Sequence, residues 1–368
     1  MEEARGVADG SSSMSPMPAS RPGPRPLGLP SHLVWPVAVD PTGVSGPTRA
    51  QARSRAWRRS SHGLFVPSAT ELTLDQRIVE AAAILPDYGG ITGWAALHWL
   101  GAAWFDGVRR GEPLPITLAV ADRSIRPQPT SGIATSEERM NPREIQVHRG
   151  LRVTTAMRSL FFLMRYAASP TEAVQHAEMT AYDDLVSQAE LAAFVAVNSG
   201  WTGIALPRAA ADDMSENSWS PAEVTMRRTW EHLARLPRPL CNRPVFDRSG
   251  RHLGTPDLID PVAGVAGEYN SALHLQGAQR SRDVEKEARL RAAGLEFVEM
   301  LTGDLIDPFA FVARLRAAYA RAARIPVVDR RWTIETPRWW IPTFTVEQRR
   351  SLTAGQREVM LRYRRLAG

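Results

Sequence analysis

The run Gly254-Thr255-Pro256-Asp257-Leu258-Ile259-Asp260 is followed closely by Val265-Ala266-Gly267-Glu268-Tyr269-Asn270. Both runs are apolar enough to be strands, yet each carries a carboxylate where burial would be costly. The strand period of two puts Glu268 and Asn270 on one face and Tyr269 on the other. Asp257 belongs to the preceding strand-like run. If the two strands are neighbours, two carboxylates converge at one edge of a sheet, an arrangement that needs a cation between them. Mg²⁺ suits such a site, with Mn²⁺ as a substitute. It takes one or two carboxylates, several waters and phosphate oxygens, and it can activate a water for attack on a phosphodiester.

The elements around these residues predict an α/β unit. A helix is expected over Pro221–Leu233, opened by Ser220 with Pro221 at its first position. A hairpin turning at Ser249-Gly250, the Glu268 strand, a helix through Ala293 ended by Gly294, a strand at Leu295–Leu301 and a helix capped by Asp307 complete it. Between 200 and 219 the pattern loosens into Gly, Ser and Asn, the expected domain boundary. Ahead of it, Thr73, Thr92, Thr154 or Thr155, Ser169 and Ser187 are candidate helix caps. Strands are expected at 115–120 and 144–155, the latter turning at Gly150. Residues 46–68 predict a short basic helix followed by a strand ended by Pro67. Arg49, Arg53, Arg55, Arg58 and Arg59, with no acid among them, fit either phosphate contact or a solvated helix face.

In the rear half, Pro256-Asp257, Glu268-Tyr269-Asn270, His274, and then Asp283, Lys286, Leu290 and Gly294 resemble the PD-(D/E)xK nuclease superfamily, in particular the branch similar to very-short-patch-repair endonucleases. The resemblance covers about 215–322. It implies a restriction-endonuclease-like fold in which Asp257 and Glu268 hold the metal and His274 assists proton transfer. Glu223 takes the place of an additional acidic residue, although the same Ser220-Pro221-Ala222-Glu223 run is also a capping box. Asn270 stands where the branch carries an aspartate, and the lysine of the superfamily's name is missing from its usual place.

In the front half, "WRRSSHGLFVPS", "ITGWAALHWLGA", "ITLAV" and "HRGLRVTTAMRSLFFLMR" resemble the AbiEi-type antitoxins of type IV toxin–antitoxin systems, which join a winged helix to an α/β domain. Phe162 stands where that pattern carries an aspartate. The chain thus divides into a disordered tail at 1–31, a winged-helix-like DNA-binding segment at 32–70, an AbiEi-like α/β domain at 71–210, an endonuclease-like domain at 215–323 and a Trp- and Arg-rich extension at 324–368. The tryptophans of the extension are expected to pack on a domain surface, with stacking on nucleic acid as the alternative.

At 368 residues the length suits roughly two domains. A net charge of +6, carried mostly by arginine, suits DNA as partner. One cysteine, Cys241, permits no internal disulfide and points to the cytoplasm. No stretch is apolar for long enough to cross a bilayer, 91–105 being the nearest, so no membrane partner is expected. No phosphate-binding glycine loop, nucleophile elbow or paired histidine motif is present. Two functions therefore stand side by side. One is a Mg²⁺-dependent endodeoxyribonuclease; the other is an antitoxin-like regulator, paired with a toxin, that uses the nuclease fold only to bind.

Overall fold

The computed structural model describes residues 24–121, 132–270 and 278–362. The chain is a mixed α/β protein. It opens with a small antiparallel sheet, β1 (Val37–Ala38), β2 (Trp57–Ser61) and β3 (Leu64–Pro67), in the order β1-β3-β2. The basic helix expected before β2 is a single 3-10 turn, Gln51–Arg53, whose leading residue Ala50 has no side chain to cap it. One uncapped turn fixes several dihedrals for little hydrogen bonding and does not propagate.

The next unit is built on a five-stranded mixed sheet of order β8-β7-β4-β10-β9. Its elements run α1 (Leu74–Ala82), β4 (Gly90–Thr92), α2 (Gly93–Trp99), a two-residue ribbon of β5 (Val108–Arg109) and β6 (Glu112–Pro113), then β7 (Ile116–Ala119), β8 (Ile133–Ser136), β9 (Ile145–His148) and β10 (Leu151–Thr154). Four helices follow: α3 (Ala156–Arg165), α4 (Pro170–Tyr182), α5 (Gln188–Val197) and α6 (Ala205–Asp213). Thr73, Thr155, Ser169 and Ser187 each accept a hydrogen bond from a backbone N–H of the first helical turn, as capping requires. Thr92 does not cap α2; its hydroxyl accepts from Thr154 Oγ1 at 2.9 Å inside the core. Helix α6 lies in the stretch expected to be a loose boundary. Its Ala210 and Ala211 are buried with Leu160 and Val174, so tertiary packing stabilises a segment of weak local signal.

The front and rear cores meet at α7 (Pro221–Arg228), which continues through a π turn at Thr229–Leu233. Val224 belongs to the front core, whereas Met226 and Trp230 belong to the rear one. Buried Arg227 bonds Glu178 of α4 at 2.6 Å across this junction. Beyond it come β11 (Leu240–Cys241), β12 (Val245–Asp247), β13 (His252–Gly254), β14 (Leu258–Asp260), β15 (Val265–Asn270), α8 (Ala278–Ala292), β16 (Glu296–Leu301) and α9 (Phe309–Ala322). The hairpin is β12–β13, its turn held by Asp247 Oδ1 accepting from Ser249 N at 2.9 Å and Arg251 N at 3.0 Å. Strand β14 leaves it for the main sheet, ordered β11-β14-β15-β16. Helix α9 begins beyond Pro308, and Asp307 Oδ1 accepts from Phe309 N at 3.3 Å.

One face of the main sheet packs Leu258, Val265 and Val298 against Trp230, Phe311 and Leu315. The other packs Ile259, Ala266 and Phe297 against Leu290 of α8. The extension does not stand apart. Its β17 (Trp332–Thr333) pairs with β12, and α10 (Val346–Arg350) returns to the front unit, where buried Arg349 bonds Asp184 at 2.6 Å and Ala181 O at 2.7 Å. A short α11 (Ala354–Met360) follows, separated from α10 by Ser351–Thr353.

Candidate active site

Strands β14 and β15 are antiparallel neighbours, with Leu258 opposite Gly267 and Asp260 opposite Val265. Asp257, just ahead of β14, comes at the level of Glu268 one step further along. The side of the sheet follows from Gly267, where an added Cβ would lie 2.9 Å from the Trp230 ring. Position 267 points toward α7, so Glu268 and Asn270 share the opposite face, on which Ala266 meets α8. Glu268 and Asn270 thus lie on the side of α8, and Asp257 precedes β14 at the same end of the sheet.

Each carboxylate is held in place. Asp257 Oδ2 accepts from Tyr269 N at 2.8 Å, and Asp257 O accepts from Asn242 N at 2.8 Å. Glu268 Oε1 is in contact with Lys286 Nζ, an ion pair reaching from α8 to β15. The approach depends on Gly254, since a Cβ there would lie 2.7 Å from Lys286 Cγ. Glu268 is thus paired by a lysine from the next helix. Across the other edge of β15, Glu268 and Asn270 pair with Glu299 and Leu301 of β16.

Glu223, at the start of α7, is buried and takes part in the cap. As a cap, its Oε2 accepts from Trp219 N at 2.8 Å, and Ser220 Oγ lies 3.0 Å from Oε1. It also takes Asn242 Nδ2 at 2.7 Å. Burial first, and then the negative charge of Asp257, push its carboxyl up to about 8. That dependence places Glu223 within electrostatic reach of Asp257. Asn242, which the sequence did not single out, links the two acids: its backbone N–H meets Asp257, its side-chain amide meets Glu223, and it also donates to Asn217 O at 2.8 Å. Its backbone is left-handed, φ +46°, a conformation that asparagine tolerates.

The site residues fit a divalent cation. They offer hard oxygen donors, the Asp257 carboxylate oriented by Tyr269 N. His274 lies outside the described residues. The five front arginines separate into two kinds. Arg49, Arg53, Arg55 and Arg59 are exposed, but Arg58 grips buried Glu80 through two bonds of 2.9 and 2.7 Å. Arg58 is thereby committed to the fold and not offered to phosphate.

Asp213, Glu231 and His232 form a second acidic cluster, with ligand atoms within 4.8 Å of one another. It is already neutralised by guanidinium groups: Arg227 lies 3.0 Å from Asp213 and 3.3 Å from Glu231, and Arg228 and Arg238 also pair with Asp213. Cys241 is buried, and burial pushes its thiol up to about 11, which leaves it unreactive.

No protein-family model, curated protein or solved structure matches the chain. Among the described residues no helix is long and apolar enough to cross a membrane.

Proposed function

We propose that the protein is a DNA-binding, divalent-metal-dependent endonuclease of the cytoplasm, with Asp257 and Glu268 as the metal ligands. The observation that carries this reading is the placement of Asp257, just ahead of β14, at the end of the sheet where Glu268 stands on β15, with Lys286 closing on Glu268 from α8. When bound, Mg²⁺ or Mn²⁺ supplies charge neutralisation and an acidified water. The chain's own groups supply the rest. Tyr269 N fixes the Asp257 carboxylate, and the Asn270 carbonyl, on the same face, can add a neutral oxygen. Lys286 brings a positive charge beside Glu268, suited to a phosphate oxygen. Glu223 holds a proton at neutral pH near Asp257. Exposed Arg49, Arg53, Arg55 and Arg59 suit backbone phosphates of the same DNA.

The same ion pair also favours a second reading, because Lys286 already neutralises one of the two carboxylates. The rear unit would then bind DNA without cutting it, as a regulator partnered by a toxin. Nicking of supercoiled plasmid with Mg²⁺ or Mn²⁺, with and without EDTA, separates the two. Metal-dependent nicking that Asp257→Asn and Glu268→Gln both abolish supports the nuclease. Tight DNA binding by the parent protein without nicking selects the regulator, and nicking that persists in both variants overturns the site.

A further inference from the structure

Between β17 and α10 the chain carries two adjacent tryptophans that do different work. Trp340 packs edge-on to Phe246 of β12, ring centroids 5.1 Å apart at 80°, and against His252 of β13 at 5.3 Å and 38°. Trp339 leans edge-on against Trp340 at 5.7 Å and Phe246 at 6.1 Å, and remains 62% exposed. Trp340 Nε1 is shielded and donates to no acceptor among the described residues. The result is a supported indole presented to solvent, with its orientation fixed in advance.

The cluster is tied to the carboxylate site. His252 Nε2 lies 3.1 Å from Thr255 Oγ1, two residues before Asp257. The five-residue step from His252 to Asp257 spans at most about 17 Å, the reach of a few nucleotides. Within that step Gly254 seats the stem of Lys286. The surroundings are basic. Arg338, beside Trp339, is exposed and makes no ion pair with a described carboxylate, and Arg289 of α8 donates to Leu253 O at 3.2 Å.

We infer that Trp339 is a stacking platform for an unpaired base of the DNA strand engaged by the carboxylate site. A flat exposed ring next in the chain to an exposed arginine suits the π face and the phosphates of a single strand, whereas a duplex keeps its base faces covered. The inference rests on the nuclease reading and adds the form in which the strand is held near the site.

The test is binding in EDTA, followed by fluorescence anisotropy of a labelled single-stranded oligonucleotide and of an abasic strand of equal length. Trp339→Ala is expected to weaken the base-containing strand by about 5- to 100-fold, the range for loss of one stacked base, with abasic binding unchanged and Trp339→Phe close to the parent. Far-UV circular dichroism and thermal melting check that each variant is folded. If Trp339→Ala binds the single strand as the parent does, or loses both strands equally, the platform is overturned and the carboxylate site stands on its nicking assay. If the parent binds neither strand and no duplex, the platform and the nuclease reading fall together.

Discussion

Lys286 of α8 is in contact with Glu268 of β15, and it gets there over Gly254, a residue with no side chain to obstruct it. This lysine serves as a neighbouring cation for the carboxylate and competes with any metal for it. Lys286→Met is therefore expected to bind Mg²⁺ more tightly, because Glu268 loses a rival cation, while nicking slows by about tenfold or more. Gly254→Ala should move both readouts in the same direction by displacing the Lys286 stem. Calorimetric metal titration beside a nicking time course measures the two. Tighter binding together with faster nicking would assign Lys286 to charge balance alone.

Asn270 shares the face of Glu268 and ends β15. An acid there would point toward the same cation, and more ligand charge means tighter binding of a hard ion. Asn270→Asp is expected to tighten Mg²⁺ binding by about tenfold and to raise nicking. No gain in affinity would place the cation elsewhere.

Buried Glu223 keeps its proton up to about 8, whereas in the unfolded chain it ionises near its ordinary value of 4.5. Between those values the folded state binds the extra proton, so stability falls as pH rises from 4.5 toward 8 and levels off above it. The slope is at most about 1.4 kcal/mol per pH unit. Glu223→Gln mimics the protonated acid, with an amide that can donate to Ser220 Oγ. Metal-free denaturant melts across this window should show the slope in the parent and its loss in the variant. A parent whose stability is flat across the window refutes the assignment.

Arg227 and Glu178 are both fully buried and meet at the junction of the two units. Arg227→Met strands a carboxylate without its cation and should cost about 3–5 kcal/mol, read from chemical denaturation. Adding Glu178→Leu should recover part of the loss, the remainder reflecting Asp213 and Glu231, which Arg227 also serves. Additive losses in the double variant would show that the pair is not coupled.

The front arginines predict a contrast. Arg58→Ala leaves Glu80 without its cation, with Gln76 Nε2 still donating to it, and should destabilise the fold by about 1–3 kcal/mol. Arg53→Ala with Arg55→Ala should leave the melting temperature alone but flatten the salt dependence of DNA binding by about 2 units of logarithmic slope, since each lost phosphate contact releases about 0.9 fewer counterions. Titrations at several salt concentrations decide it, and an unchanged slope removes these two side chains from the DNA interface.

The sequence by itself determined what is local. Ser169, Ser187 and Thr73 sit next to amphipathic runs and cap them, because a cap needs only a hydroxyl and the following turn. The alternation through Val265–Asn270 placed Glu268 and Asn270 on one face, since the strand period requires no partner. Local chemistry misled where packing decides. A run of arginines promised a short basic helix within 46–68, and a glycine- and serine-rich stretch hid α6, whose stability comes from the core beneath it. Only the tertiary structure could bring Asp257 to the level of Glu268, because register is a property of two strands. Only it could swing Lys286 back over Gly254, join Asn242 to both acids, turn Arg58 inward to Glu80 and leave Trp339 outward on a bed of rings. Each of those contacts links residues distant in the chain or sets which way a side chain faces, and the energy that selects it is burial and charge pairing across the fold, which no short window of sequence contains.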